Sequence, residues 1–348
     1  MTRKTNHTLR VLVVTLLVVS ASLAAFNKVG TTGAAFLKIG VGRATGMGDA
    51  FVAIADDPSA SYYNVAGLSH VGRSIQFNHV DWIADVNHDY LAVVLPTGFG
   101  TLGFSVTALT MGEIEQTTLD DPDSRAREDE GTGLLFSASD FAAGVSYARI
   151  ITDKLSFGFT GKVVQQSVWN MSAGAMGIDF GLHYNTGFRS LRIGATVQNF
   201  GTQLRYTGRE LDYSFGWTDS GPSQLNGSYR TDGNPLPTVF RFGIAYDLID
   251  ASPSRLTVAL DLAHPSDINE QINFGLEYGY NDLFYLRGGY VLNSDRDYAS
   301  ALGNLTGLSA GVGLKTKPSQ TLSIGLDYSF GYREYVQPTH RVLLTLGF

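Results

Sequence analysis

Residues His340–Phe348 read HRVLLTLGF, a stretch in which large apolar residues recur at every second position. Alternate side chains of an extended strand point to opposite faces. One face of this strand therefore carries Val342, Leu344, Leu346 and Phe348. A soluble strand would bury that face against a core, but the segments before it repeat the pattern with no helices between them to supply one. We therefore expect lipid to cover the apolar face, as it does in outer-membrane β-barrels.

The same alternation recurs upstream, most clearly over 322–330, 272–280 and 176–184. From residue 74 onward it predicts about fourteen strands, an even number as single-chain bacterial barrels have. Short and long links between the strands alternate, as expected of periplasmic turns and outer loops. The short links are 96–100, 151–154, 185–190, 280–283 and 315–320, and the long ones are 111–134, 201–236 and 293–303. The sequence therefore predicts an all-β protein, a transmembrane antiparallel β-barrel over 74–348 with both ends of the sheet in the periplasm.

The first residues predict export. Arg3, Lys4 and Arg10 precede an apolar run at 11–19, and Ser22–Ala24 has the small-x-small pattern of a cleavage site. We predict a signal peptide over 1–24. No later segment reaches the roughly 18 to 20 consecutive apolar residues that a membrane-spanning helix needs, so residence in a membrane requires a barrel.

The composition of the chain limits the classes of partner and modification that we expect. The chain has 348 residues, a net charge of −7 and no cysteine, which excludes disulfides and a lipid-modified amino terminus. A net negative charge argues against nucleic acid as a partner. We expect outer-membrane lipid and the barrel assembly machinery as partners, and we interpret Phe348 as the terminal aromatic that the machinery reads. Deleting Phe348 should lower the amount of protein in the outer membrane.

Residues 25–73 are rich in glycine and small residues and show little alternation, which predicts a separate plug segment. Within it, Asp57 is a candidate cap, Pro58 suits a first helical position and Gly67 suits a helix stop, so we predict a short helix over Pro58–Ala66. The glycine-rich stretch Gly40–Ala50 favours backbone packed closely against another element.

Three pieces of this segment, Phe36–Ala44, Gly46–Asp57 and Tyr62–Leu68, resemble the amino-terminal region of the PorV/PorQ family, a branch of the FadL-like outer-membrane barrels. Asn199–Gly201 and Leu236–Pro237 are also similar to the family. One departure is Val65, where the family usually has proline. The resemblance implies a fourteen-stranded, FadL-like barrel with an amino-terminal plug. Its plug motif in this chain is Gly46, Met47, Gly48, Asp56, Asp57, Asn64 and Gly67.

The resemblance implies two different functions, and a fold cannot choose between them. One is transport of hydrophobic small molecules across the outer membrane. The other is a non-transport adaptor of a type IX-like secretion system that holds exported protein cargo at the cell surface. We place transport first, because an adaptor has little need of the aromatic-rich outer loop described below, and keep the adaptor as the alternative.

Several motifs favour a structural interpretation over a chemical one. The GFGTLG sequence at 98–103 matches G-x-G-x-x-G but is followed by a strand, which predicts a tight turn. The acidic loop 120–130 lacks the ligand spacing of a calcium loop. The seven histidines are scattered, which argues against zinc. His183 points inward, but the sequence places no serine beside it, so we expect neither an enzyme nor a cofactor.

Two sets of side chains remain as candidate sites. Charged residues predicted to face the lumen nearly balance in sign, and we interpret them as paired salt bridges across a plugged interior rather than as an ion-selective pore. They are Lys162, Asp179, Arg192, Arg241, Asp247, Asp261, Glu277, Arg287, Asp327 and Arg341. Aromatic residues of the long loop 201–236 would grip a hydrophobic ligand, contact a protein partner, or pack the loop as a lid. They are Tyr206, Tyr213, Phe215, Trp217 and Tyr229.

Overall fold

The computed structural model describes residues 32–116, 133–216, 224–293, 307–332 and 337–348. The predicted signal peptide, the acidic loop 120–130 and Trp217 lie outside these ranges. Among the described residues, no helix has the length and apolar character needed to cross a membrane.

Fourteen antiparallel strands form one closed sheet, which confirms the predicted fold class. They are β1 (Ser74–Asp81), β2 (Asn87–Thr97), β3 (Gly100–Thr110), β4 (Ala138–Thr152), β5 (Leu155–Val168), β6 (Met171–Asn185), β7 (Arg192–Gly201), β8 (Val239–Ala251), β9 (Ser254–Pro265), β10 (Gln271–Tyr280), β11 (Phe284–Asn293), β12 (Leu308–Thr316), β13 (Ser323–Gly331) and β14 (Thr339–Gly347). Each strand pairs with the next, and β14 pairs with β1 from Ser74↔Gly347 to Asp81↔His340. Closure leaves no unpaired edge, as a spanning sheet requires. Phe348 follows this seam, and its N–H donates to the Arg73 carbonyl (3.0 Å).

The connections divide the barrel into two ends. At one, which we call the turn end, the links are 98–99, 153–154, 186–191, 252–253, 281–283 and 317–322. The loop end has the long links 111–137, 202–238 and 294–307, together with the shorter links 82–86, 169–170, 266–270 and 332–338. The glycine motif at 98–103 forms the β2–β3 turn, as its sequence context predicts.

Smaller elements decorate the loops. Short strands pair as Ile114–Glu115 with Leu135–Phe136, Gln203–Leu204 with Asn234–Pro235, and Asp212–Gly216 with Gln224–Ser228, while Tyr206–Gly208 pairs with the start of β6. Single 3₁₀ turns occur at Ile83–Asp85 and Arg209–Leu211.

The outer surface of the barrel is apolar. Met176 is 67% exposed, Leu286 59% and Val145 54%, each on the outward face of its strand. Apolar side chains at alternate positions around a closed sheet have no protein to pack against, and lipid is the environment that covers such a belt.

Residues 32–73 fill the lumen as a plug. The plug contains 3₁₀ helices at Ala35–Lys38, Gly42–Met47 and Val65–His70 and one α-helix, α1 (Ala60–Tyr63). Its large apolar side chains are buried inside the barrel, where they pack against small inward-facing residues of the wall. The core of the protein is therefore the contact between plug and wall.

The predicted helix over Pro58–Ala66 is too long. Asp57 accepts from the Ser59 N–H (2.8 Å) before the helix, but α1 ends at Tyr63 and the backbone of the next residue, Asn64, is extended (φ −155°). The Asn64 side chain then accepts from the Ala66 N–H and starts the next 3₁₀ helix. Gly67 lies inside that second helix, so it does not stop the first.

Candidate functional site: the plugged lumen

Inward-facing glycines let the plug backbone contact the wall. A Cβ at Gly289 would lie 2.0 Å from the Gly48 nitrogen, and one at Gly194 would lie 2.3 Å from the Val52 carbonyl oxygen. These distances exclude any side chain larger than hydrogen unless the plug moves. The wall glycines thus form a cradle that fits the plug.

Wall side chains also bind the plug backbone directly. Asp261 accepts from the N–H groups of Phe51 (2.8 Å) and Val52 (2.9 Å). Gln198 donates to the carbonyls of Tyr62 and Tyr63, the latter at 2.9 Å. Buried plug amides and carbonyls need such partners because no sheet or helix satisfies them.

An ion network joins the plug to the β10–β13 wall. Arg43 of the plug binds Asp57 (2.8 Å), Asp56 and the wall residue Glu277 (2.8 Å). Glu277 also accepts from Arg287 (2.7 Å), which in turn binds Asp327 (2.5 Å). Arg43 therefore shares Glu277 with Arg287 of the wall, and removing Arg43 would leave the Asp57 carboxylate, 13% exposed, without this cation.

The remaining predicted lumen charges fall into two groups. Lys162 pairs with Asp179 (2.7 Å) and Arg192 with Asp247 (2.6 Å), both within the wall. Two guanidiniums instead lie over aromatic rings, Arg241 at 5.8 Å from the centroid of Tyr63 and Arg341 at 5.7 Å from that of Trp82. The structure thus brings most of this set into contact across the wall or with the plug.

Each residue of the predicted plug motif contacts the wall or another part of the plug. Gly46 lies against Gly311, and Gly48 has the positive φ (62°) that favours glycine. Met47 is fully buried, and Asp56 and Asp57 bind Arg43. The Asn64 amide donates to the carbonyls of Val52 (2.8 Å) and Leu182 (2.9 Å), which ties the plug to β6. A Cβ at Gly67 would lie 2.0 Å from the Ala55 oxygen.

A cavity of about 530 Å³, the loop-end cavity, lies between the plug and the loop end of the barrel. About half of its lining residues are aromatic or aliphatic, with Phe36, Ile39, Trp82, Leu109 and Leu308 among them, and the charged residues Lys38, Asp49, Arg241 and Arg341 also line it. Apolar walls with a few fixed polar groups are typical of small-molecule sites, and the volume is in their usual range.

A second cavity, the turn-end cavity, has a volume of about 510 Å³ and lies on the other side of the plug. It is lined by the plug residues Arg43, Asp56 and Asp57, by the link 317–322 and by the turn-end parts of β12–β14. The 3₁₀ helix Gly42–Met47 separates the two cavities, because Thr45 faces the loop-end cavity and Arg43 the turn-end cavity.

The predicted loop aromatics lie elsewhere. Tyr206 packs against the apolar cluster around Phe36, and Tyr213 and Tyr229 form an exposed pair with ring centroids 4.6 Å apart. Neither Tyr206, Tyr213 nor Tyr229 lines the loop-end cavity, and the backbone of Phe215 lies in the hairpin of Asp212–Gly216. The aromatic residues that do line the cavity beside Phe36 are Trp82 and Tyr332, both of which the sequence reasoning missed.

A serine and a histidine meet at the plug, although sequence reasoning placed no serine near His183. The Ser156 Oγ lies 3.1 Å from the His70 Nε2, and the ring centroids of His70 and His183 are 5.2 Å apart. Ser156 is only 2% exposed, and burial lowers the pKa of the His70 imidazole. His183 contacts the Ala53 carbonyl (3.0 Å), so this group of residues fastens the plug. The described residues contain no cluster of side chains suited to a metal ion.

Arg43 and the glycine cradle were also missed. The signal for the cradle was present, because glycines occupy inward positions of the alternating strands, as Gly275 does in β10. Arg43 carried no comparable signal, since its partner Glu277 is distant in sequence and the plug has no periodicity.

Of the comparisons with known proteins, the one with solved structures found similar folds. The chain matches no family model and no curated protein. Among solved structures it is similar to the toluene transporter TodX of Pseudomonas putida, with a TM-score of 0.57 and 15% identity over 93% of this chain and 98% of that one. It is also similar to the monoaromatic hydrocarbon channel CymD, with a TM-score of 0.53 and 14% identity over 93% and 99% of the two chains. At such identities the likeness concerns the fold.

Proposed function

We propose that this chain is an outer-membrane channel that admits small hydrophobic molecules from the loop end of the barrel. The loop-end cavity is the observation that carries the proposal. A cavity of about 530 Å³ that presents aromatic and aliphatic side chains beside a few polar groups, inside a barrel with a lipid-facing exterior, suits a small ligand that water dissolves poorly. TodX and CymD, described as a toluene transporter and a monoaromatic hydrocarbon channel, support the same ligand class.

In this proposal the loop end faces the outside and the plug controls passage. Thr45, Gly48 and Asp49 form part of the floor of the loop-end cavity. A ligand bound there reaches the turn end only if the segments Gly46–Gly48 and Asn64–Gly67 shift away from the wall. Passage is therefore gated, and the proposed transport involves no chemical reaction.

Binding and uptake test the proposal together. The delipidated full chain is titrated with N-phenyl-1-naphthylamine, a neutral fluorescent probe, and we expect saturable binding that toluene displaces. Cells that carry the chain should take up radiolabelled toluene faster than cells that lack it. Absence of saturable binding together with equal uptake would reject the channel.

A second candidate is the PorV/PorQ-type adaptor, a barrel that holds exported proteins at the surface without transporting small molecules. The tightness of the plug favours it, because ion pairs and backbone contacts fix the plug as a protein that never opens would require. Loss of exported proteins from the surface of a deletion strain, with toluene uptake unchanged, would replace the channel with the adaptor.

A further inference from the structure

The turn-end cavity has an excess of positive charge. Six cationic side chains line it, namely Arg43, Arg73, Arg255, Arg287, Lys315 and Lys317, against the carboxylates of Asp56, Asp57 and Asp327. This excess occurs in a protein whose net charge is −7. The cavity is therefore an electropositive region of an acidic molecule.

Ion pairing inside the plug network does not neutralise the excess. Arg43 and Arg287 bind the three lining carboxylates and Glu277. The other four cations are left with little to bind. Arg255 approaches Glu277 only at 3.9 Å, and the side chains of Arg73, Lys315 and Lys317 make no ion pair or hydrogen bond within the described parts of the chain.

The rest of the lining is suited to a polar ligand. Hydroxyl-bearing residues, among them Thr321 and Ser323, lie around the same space. Ammonium and guanidinium groups recognise oxyanions through short, charge-assisted hydrogen bonds, and Arg73, Lys315 and Lys317 are exposed and so accessible to a dissolved ligand. A volume of about 510 Å³ accommodates a small molecule rather than a folded protein segment.

We propose that the turn-end cavity is a binding site for a small, soluble, multivalent oxyanion of the phosphate or polycarboxylate class, held by Arg73, Arg255, Lys315 and Lys317. The site is distinct from the loop-end cavity, and it exists whether the barrel transports hydrophobic molecules or serves as an adaptor. Because the cavity lies inside the barrel, the ligand reaches it from the water at the turn end.

Pyrophosphate is a suitable probe. We expect isothermal titration calorimetry on the full chain in an uncharged detergent, at low ionic strength, to show saturable binding of one pyrophosphate. The double variant Lys315→Gln/Lys317→Gln should weaken it by about tenfold or more, the scale of losing charge-assisted hydrogen bonds. Heat-modifiable gel migration verifies folding, and Lys317→Gln alone, in an exposed link, serves if the double variant fails to fold.

A matched control removes two cations at the same end of the barrel but outside the cavity. Lys154 lies in the link 153–154 and Arg189 in the link 186–191. The variant Lys154→Gln/Arg189→Gln should bind pyrophosphate as the unaltered chain does. An equal loss in both double variants, or no saturable binding at all, would overturn the proposal.

Membrane lipid is the competing source of phosphate. The titration is repeated in nanodiscs of phosphatidylcholine alone and of phosphatidylcholine with phosphatidylglycerol. Equal affinity in the two supports a soluble ligand. Competition by phosphatidylglycerol would overturn that assignment and give the site to a lipid headgroup.

Discussion

The loop-end and turn-end cavities have nearly the same volume, about 530 and 510 Å³, but different chemistry. The first has more aromatic and aliphatic residues in its lining, whereas the second has six cationic side chains and several hydroxyl groups. They are separated by the single 3₁₀ helix Gly42–Met47, with Thr45 on one side and Arg43 on the other. A ligand therefore meets differently lined cavities on the two sides of this 3₁₀ helix.

This difference indicates what the barrier has to do. A hydrophobic molecule that binds at the loop end gains little at the turn end, so its release there requires no tight site. An oxyanion held at the turn end meets six cationic side chains there, against three (Lys38, Arg241 and Arg341) in the lining of the loop-end cavity. The two cavities stay separate only while the plug contacts the wall. The strongest tests are therefore substitutions that weaken the contact between plug and wall.

The largest effect is expected from Arg43→Gln. The change keeps a polar side chain but removes the charge that binds Asp57 and links the plug to Glu277, which keeps Arg287, and breaking a buried pair typically costs about 3–5 kcal/mol. We expect the plug to leave the wall, so that the cavities merge. Conductance in planar bilayers should rise, and limited proteolysis should cut the plug faster.

Arg192→Gln is the control for that change, because it removes a lumen cation whose partner Asp247 belongs to the wall and not to the plug. Its plug should resist protease as the unaltered chain does. A plug that stays protected in Arg43→Gln would show that the glycine cradle and the hydrogen bonds of Asp261, Gln198 and Asn64 hold it without Arg43.

A smaller effect is expected from Gly289→Ala. The new methyl group would lie 2.0 Å from the Gly48 nitrogen, and overpacking of this kind costs about 1–3 kcal/mol. The fraction of molecules whose plug has left the wall should rise by about fivefold to a hundredfold, because 1.4 kcal/mol is a factor of ten in an equilibrium constant. Bilayer conductance measures it.

The neighbouring glycine provides the control. A Cβ at Gly288 meets nothing within 4 Å, so Gly288→Ala should behave as the unaltered chain. Equal conductance in the two alanine variants would contradict the close contact between Gly289 and the plug.

The barrel, but not the site, was predictable from sequence. Lipid imposes a period of two on every strand, and that period is visible in residues such as Val342 and Leu344 without knowledge of any contact. The cradle depends on which inward glycine meets the plug. A Cβ at Gly275 would lie 2.8 Å from the Met47 oxygen, whereas one at Gly325 meets only Thr345 at 3.6 Å or more, yet both have the same sequence pattern.

The sequence predicted that a plug segment exists but not its internal conformation, for a related reason. Its conformation follows from contacts with the wall and not from local propensity, as the extended backbone at Asn64 inside the predicted helix shows. Long-range pairs such as Arg43 with Glu277 leave no mark in either segment taken alone. Cavity lining likewise depends on how loops fold back, which is why Trp82 was missed.

Trp82→Ala sharpens the contrast between the two cavities. The ring is partly buried, and its loss should weaken binding of N-phenyl-1-naphthylamine by about 1–2 kcal/mol, as truncation of an aromatic contact does. Pyrophosphate affinity should not change, since Trp82 lines only the loop-end cavity. Phe188→Ala, which removes a 66% exposed ring at the turn end, is the control and should affect neither ligand. Loss of both ligands in Trp82→Ala would mean that the cavities are not independent.

The smallest effect is expected on lowering the pH, which should weaken the contact between Asp267 and the start of the plug at the loop end. Asp267 accepts from Lys38 (2.5 Å) and Thr32 (2.6 Å), and fastens the start of the plug beside the loop-end cavity. Burial alone would raise the pKa of Asp267, but the hydrogen bonds from Lys38 and Thr32 hold it below the ordinary value of 3.8. A depressed pKa in the folded state stabilises the contact fully above the ordinary value, and that stabilisation is lost as the pH falls through the folded pKa. The loss should be at most about 1 kcal/mol, the usual range of such ion pairs.

Hydrogen–deuterium exchange measures this loss. After correction for the intrinsic pH dependence, the amides of residues 33–39 should exchange faster at low pH, and the amides of α1 should not change. Lys38→Gln should reduce this dependence on pH, and an unreduced response would assign it to another group.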